Sequence, residues 1–162
     1  MKEGKFNQAL LLVVALLFAQ LAGWFGSIFN FVSLADWYPT LAKPGFMPPG
    51  WLLGPVWTAL FLLMGYALFL ILKGHWHKKQ RNLAMLVFLV QWLLNISWSF
   101  IFFVWQNPLL ALVEIIILWL AIMWNIIVFY RLNKTAAYYL LPYLLWVTFA
   151  LVLNANIVVL NY

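Results

Sequence analysis

The segment NLAMLVFLVQWLLNISWSFIFFVWQNPLLALV, residues 82–113, contains no charged side chain from end to end. A helical membrane span needs about 20 residues, each rising about 1.5 Å, to cross about 30 Å of hydrocarbon. This run exceeds that length and holds a proline, Pro108, near its end, so it reads as one complete span and the start of the next. Outward from it the same pattern returns. Residues 6–35 and 44–72 carry no charge, 109–130 carries only Glu114, and 135–162 carries none.

Lipid offers the backbone no hydrogen-bond partners, so a spanning segment must be a helix or part of a closed barrel. The apolar runs here are continuous rather than alternating, which excludes the barrel. The chain is 68% hydrophobic and 7% charged, against about 25% charged in soluble domains. The expected fold is therefore an all-α integral membrane protein, a single domain over residues 1–162 with five spans at 7–30, 52–72, 83–104, 109–130 and 136–160. Residues 31–51 form an outer lid loop on this reading.

Orientation follows from the cations. Lys2 and Lys5 precede the first span, Lys73, Lys78, Lys79 and Arg81 lie between the second and third, and Arg131 and Lys134 between the fourth and fifth. All of these share one side, leaving Lys43 alone on the other, so the amino terminus is expected to be cytoplasmic. The same asymmetry accounts for the net charge of +6 without nucleic acid, which is not an expected partner. Membrane lipid is. The absence of cysteine removes disulfide and thiolate chemistry. Ser33-Leu34-Ala35 resembles a signal cleavage site, yet the apolar run before it is much longer than a signal core of about 7–15 residues, so a retained span is expected.

Several patterns bear on packing and function. Ala15, Ala19, Gly23 and Ser27 recur every fourth residue of the first span, a stripe suited to close helix approach within the chain or to a homodimer seam. His75 and His77 sit two apart in a basic turn with no carboxylate or thiol, and no metal site is expected there. In the third span Gln91, Asn95 and Ser99 share a face with Trp98 beside them. That face makes either interhelical hydrogen bonds or the polar wall of a pocket. Pro142, Trp146, Ala150 and Asn154 repeat the design in the fifth span, where Pro142 is expected to kink the helix about one turn inside. Glu114 and Asn125, eleven apart, share a face of the fourth span. Glu114 lies near the outer interface, where reaching water or capping a neighbouring helix is its simplest use; one ionisable group in the spans is too little for a proton relay.

Between the first two spans stands WYPTLAKPGFMPPGW, residues 37–51. Its prolines Pro39, Pro44, Pro48 and Pro49 fix torsions and remove donors, giving a stiff loop. Its aromatics Trp37, Tyr38, Phe46 and Trp51 belong at the interface or over the mouth of the bundle, with Trp57 beneath them.

The blocks WYPTLAKPGFMPPGWLLGPVWT (37–58), MGYA (64–67), QWLLNISWSFIFF (91–103), NPLLALVEIIILW (107–119) and LLPYLLWVTFALVLN (140–154) together resemble the TspO/MBR family of tryptophan-rich sensory proteins, also called translocator proteins or peripheral benzodiazepine receptors. The resemblance implies a five-helix bundle, often dimeric, with a pocket toward the first loop that takes porphyrins and, in animals, cholesterol and synthetic drugs. By motif position the pocket residues would be Tyr38, Pro48, Pro49, Trp57, Phe61, Asn95, Trp98, Trp146 and Ala150, with Gln91 added from its place on the polar face. Trp57 and Trp146 would match the tryptophans implicated in light-dependent porphyrin breakdown, the only catalytic role the resemblance suggests. Phe61 stands where a tyrosine is common and Leu53 where a phenylalanine is usual; the final residues lack the tyrosine and following cation of the animal sterol motif.

Three functions stay open on these grounds. One is a receptor or carrier for porphyrins or haem precursors, with the porphyrin as ligand, no resident cofactor, and Lys43 facing a propionate at the mouth. The others are a light-dependent porphyrin-degrading enzyme and a ligand-sensing scaffold for partner proteins. The resemblance, without the sterol motif, points to a bacterial or archaeal cell membrane.

Overall fold

The computed structural model describes residues 2–162, with side-chain surroundings from Asn7 onward; the side chains of Lys2 and Lys5 lie outside the described ones. All regular structure among the described residues is helical: α1 (Lys2–Ser33), α2 (Gly50–Leu72), α3 (Lys78–Ser99), α4 (Pro108–Leu132), α5 (Lys134–Tyr138) and α6 (Leu141–Asn161). Five helices are long and apolar enough to cross a membrane, the fifth formed by α5 and α6 in succession. The protein is thus the all-α, five-span bundle its charge-free runs predict.

Local chemistry sets the boundaries. Asn107 caps α4, its side chain accepting from the Leu110 amide at 2.9 Å, and Pro108 follows at the first helical position where no donor is needed. Asn133 ends α4 and caps α5 by accepting from the Ala136 amide at 3.1 Å. The fifth span, Lys134–Asn161, breaks at Tyr139 and Leu140, about one turn inside, and Pro142 follows in the first turn of α6, where no intrahelical donor is needed.

One irregularity carries no sequence signature. Past Ser99, α3 continues as a π-helical turn over Phe100–Val104, with the Trp105 amide reaching back to Phe100 O at 3.1 Å. The extra residue is absorbed at the end of the helix: Gln106 adopts a left-handed φ of 51°, and the Asn107 amide closes onto Ile101 O at 3.3 Å.

Helix α1 packs on α2 and α3, α3 on α4, and α4 on α5 and α6, while α2 meets α5 closely and α6 hardly at all. The bundle is therefore tight in one half and splayed in the other. In the tight half Gly65 of α2 faces Ala15 and Ala19 of α1 so closely that a Cβ on Gly65 would lie 2.8 Å from Leu16 Cα and 2.9 Å from Ala15 O. Ala15 and Ala19, from the small-residue stripe, are buried by this contact within the chain.

Glu114 neither reaches water nor caps a helix. It is 7% exposed and neither carboxyl oxygen has a hydrogen-bond partner in the protein, and Asn125 on the same face of α4 is fully buried and likewise unpartnered. Both follow the apolar face formed by Ala111, Ile115, Leu118 and Ile122, which turns them into the core.

Candidate functional site

The splayed half of the bundle encloses a cavity of about 1020 Å³. Its far wall comes from the facing ends of α2 and α6. Trp57 stacks on Phe61 one turn further along α2, centroids 5.5 Å apart and planes 24° apart. The Trp57 ring stands at 90° to that of Trp146, 6.4 Å away, and Trp146 leans on Phe149 at 5.4 Å. Ala150, next along the α6 stripe, leaves the space that a larger side chain would fill. On the α3 side, Trp98 stacks on Phe102 at 5.1 Å and 26°; the π-helical turn brings Phe102 and its neighbour Phe103 onto the wall together.

Polar groups in the wall are mostly tied down within the protein. Asn95 Nδ2 donates to the Tyr143 hydroxyl at 2.9 Å. Trp98 Nε1 donates to Asn154 Oδ1 at 3.1 Å, and Asn154 Nδ2 donates to Pro108 O at 2.9 Å, so the ring of Trp98 is fixed with its face available to the cavity. Gln20 Nε2 of α1 donates to Thr58 O of α2 at 2.9 Å across the side of the cavity. Exposed residues Leu17 and Trp24 of α1 and Gly54 and Thr58 of α2 border the opening there.

The segment between α1 and α2 closes one end of the cavity. A one-turn 3₁₀ helix, Tyr38–Thr40, presents Tyr38 to the cavity, packed on Phe103 at 5.6 Å, while Trp37 meets Phe102 edge-on at the same centroid distance of 5.6 Å. Burial pushes the Tyr38 phenol above its ordinary range. Further along, Asn161 at the end of α6 clasps the lid backbone: its Oδ1 accepts from the Ala42 amide and its Nδ2 donates to Ala42 O, each at 2.9 Å. Trp51, in contrast, is 75% exposed and takes no part in the wall.

The residues singled out from sequence thus divide. Tyr38, Trp57, Phe61, Asn95, Trp98, Trp146 and Ala150 line one cavity. Pro48 and Pro49 lie outside its wall, in the irregular segment that leads into α2. Gln91 is also outside it: fully buried, it turns to α2 and donates Nε2 to Met64 Sδ at 3.4 Å. A four-residue repeat drifts about 40° per step around a helix, so Gln91, Asn95 and Ser99 do not look in one direction. Lys43 is absent from the wall as well; its Nζ donates to Leu41 O at 3.1 Å and sits 4.5 Å from the Tyr38 ring centroid. Sequence reasoning missed the contribution of α1, notably Gln20 and Asn30, and the paired Phe102 and Phe103. Among the described residues no group of three or more His, Cys, Asp or Glu side chains is arranged to hold a metal ion.

A tryptophan-walled cavity under a proline-stiffened lid accords with the sequence comparisons: the sequence model of the TspO/MBR family matches residues 13–160. The chain belongs to the TspO/MBR family. It is 42% identical over 155 residues to the tryptophan-rich protein TspO of Chlorobaculum tepidum, covering 96% of this chain and 98% of that one. It is 42% identical over 154 residues to the protein of the same name from Archaeoglobus fulgidus, covering 94% and 98%. The human translocator protein is 35% identical over 119 residues, covering 73% of this chain and 70% of that one. This TspO/MBR protein is an integral membrane protein, and its relatives at 42% identity are bacterial and archaeal, consistent with a cell membrane.

Proposed function

We propose that this TspO/MBR protein is a membrane receptor or carrier that binds porphyrins and similar flat, hydrophobic ligands inside the bundle. The observation that carries the reading is the wall formed by Trp57, Phe61, Trp98 and Trp146 around about 1020 Å³, against about 300–1,000 Å³ for small-molecule pockets in general. Aromatic faces stack on a macrocycle, and the side opening gives a lipid-soluble ligand a path from the bilayer. The test is quenching of tryptophan fluorescence by protoporphyrin IX. Saturable quenching is expected, and its persistence at unchanged affinity in Trp57→Phe/Trp146→Phe would count against this pocket.

The perpendicular contact of Trp57 and Trp146 favours a second reading, light-dependent breakdown of a bound porphyrin beside two electron-rich indoles. Bleaching of bound porphyrin that needs both light and the two indoles would support it. Signalling by a ligand-sensing scaffold is the remaining alternative, separable from carriage by measuring ligand flux into liposomes. The cation distribution supports a cytoplasmic amino terminus, and the exposed apolar faces of the spans leave room for a homodimer.

A further inference from the structure

The cavity has a second chemical character along α1, a helix from which neither Trp57 nor Trp146 is drawn. There α1 approaches α3 at Gly26, where an added Cβ would meet Ser99 Oγ at 3.2 Å. One turn further along α1 stands Asn30, which lines the cavity together with Ser27 and Ser99. Asn30 Oδ1 is covered from solvent and accepts no hydrogen bond within the protein. A buried acceptor left in that state is costly, and a ligand donor that the amide turns to meet would relieve the cost. Asn30 and Ser27 also line a smaller depression of about 190 Å³ with Phe31 and Leu34, so the amide stands where the main cavity meets a second recess at the outer end of α1.

We infer that Asn30 is the recognition point for the polar edge of the ligand, taking a protonated carboxylic acid or a carboxamide carried by a flat apolar ring system. The inference rests on the binding reading above and goes beyond it in assigning the polar subsite. A carboxamide offers an acceptor and donors side by side, so Oδ1 accepts the acid's O–H while Nδ2 donates to its carbonyl. The neutral acid suits a wall that carries no cationic side chain, because a carboxylate there would lack a countercharge. Lys43, the rival partner for such a group, is held on Leu41 O and over Tyr38, outside the wall.

The test compares protoporphyrin IX with its dimethyl ester, by tryptophan quenching, on the full chain in mild detergent. The variants are Asn30→Val, Asn30→Ser and Lys43→Met; reading the acid-to-ester affinity ratio between variants cancels the ligands' different partition into micelles. The native protein is expected to favour the acid, and Asn30→Val to lower the ratio by about three- to tenfold, the worth of one or two hydrogen bonds, by weakening the acid alone. Asn30→Ser is expected to lower it less, and Lys43→Met to leave it unchanged. An unchanged ratio in both Asn30 variants, or a ratio that falls in Lys43→Met instead, overturns the inference while ester binding keeps the pocket reading intact. Loss of ester binding in both Asn30 variants overturns it too, since it shows a structural role. Failure of the native protein to bind either compound overturns the binding reading itself, and this inference with it.

Discussion

The indole of Trp57 stands at 90° to the indole of Trp146, 6.4 Å between centroids, the one from α2 and the other from α6. Two helices that otherwise hardly touch are joined here by an edge-to-face pair, a geometry worth about 0.5–1.5 kcal/mol beyond area burial. A flat ligand that enters between them exchanges this contact for two of its own. The double substitution Trp57→Phe/Trp146→Phe is therefore expected to weaken protoporphyrin binding at least about tenfold, while exposed Trp51→Phe leaves it unchanged. Equilibrium fluorescence titration of the variants checks both.

The clasp of Asn161 on Ala42 predicts the behaviour of the lid. Two hydrogen bonds to the backbone of one residue contribute about 1–3 kcal/mol together, so Asn161→Ala is expected to open the lid about five- to a hundredfold more often. Proteolysis within residues 41–47 should accelerate and ligand association quicken. An unchanged cleavage rate would show that the apolar docking of Trp37 and Tyr38 suffices alone.

Much of this architecture was legible in the chain. Runs without charge can only be spans in a molecule this apolar, and the prolines of residues 37–51 can only be a loop. The site was read less fully, for three physical reasons. The π-helical turn at Phe100–Val104 is a change of hydrogen-bond register that no residue type announces, so the joint exposure of Phe102 and Phe103 to the cavity was hidden. Gln91 is equivalent to Asn95 by spacing alone, whereas the drift of about 40° per four residues turns it to Met64. On α1 the dominant signal is the small-residue stripe, which marks packing and says nothing of Asn30, a polar residue inside a charge-free span.

The contact of Gly65 with Ala15 and Ala19 sets a steric prediction. Because a Cβ there would press on backbone atoms of α1, which cannot swing aside as a side chain can, Gly65→Val is expected to destabilise by about 1–3 kcal/mol or more. Even Gly65→Ala should lower the midpoint of thermal unfolding in detergent. Gly54→Ala, whose Cβ meets nothing within 4 Å, is the control expected to leave it nearly unchanged.

The Tyr38 phenol gives a dependence on alkaline pH. Burial raises its pKa above the ordinary value of about 10, so the folded lid binds the phenolic proton more tightly than an undocked one. The docked state consequently loses stability as pH rises through the interval above about 10, and is unaffected below it. Phenolate absorbance should show one late-titrating group missing from Tyr38→Phe, and in that variant the alkaline rise in lid proteolysis should be smaller.

The π-helical turn has a consequence for aligning relatives. It turns the residues of this last turn, Phe102 and Phe103 among them, away from the directions an unbroken α-helix would give them. A homologue that shortens this stretch by a single position would rotate the next aromatic away from the ligand space, although its residues would still align letter for letter on either side. Comparing specificity across such sequences requires counting the backbone rungs of the helix before matching the side chains.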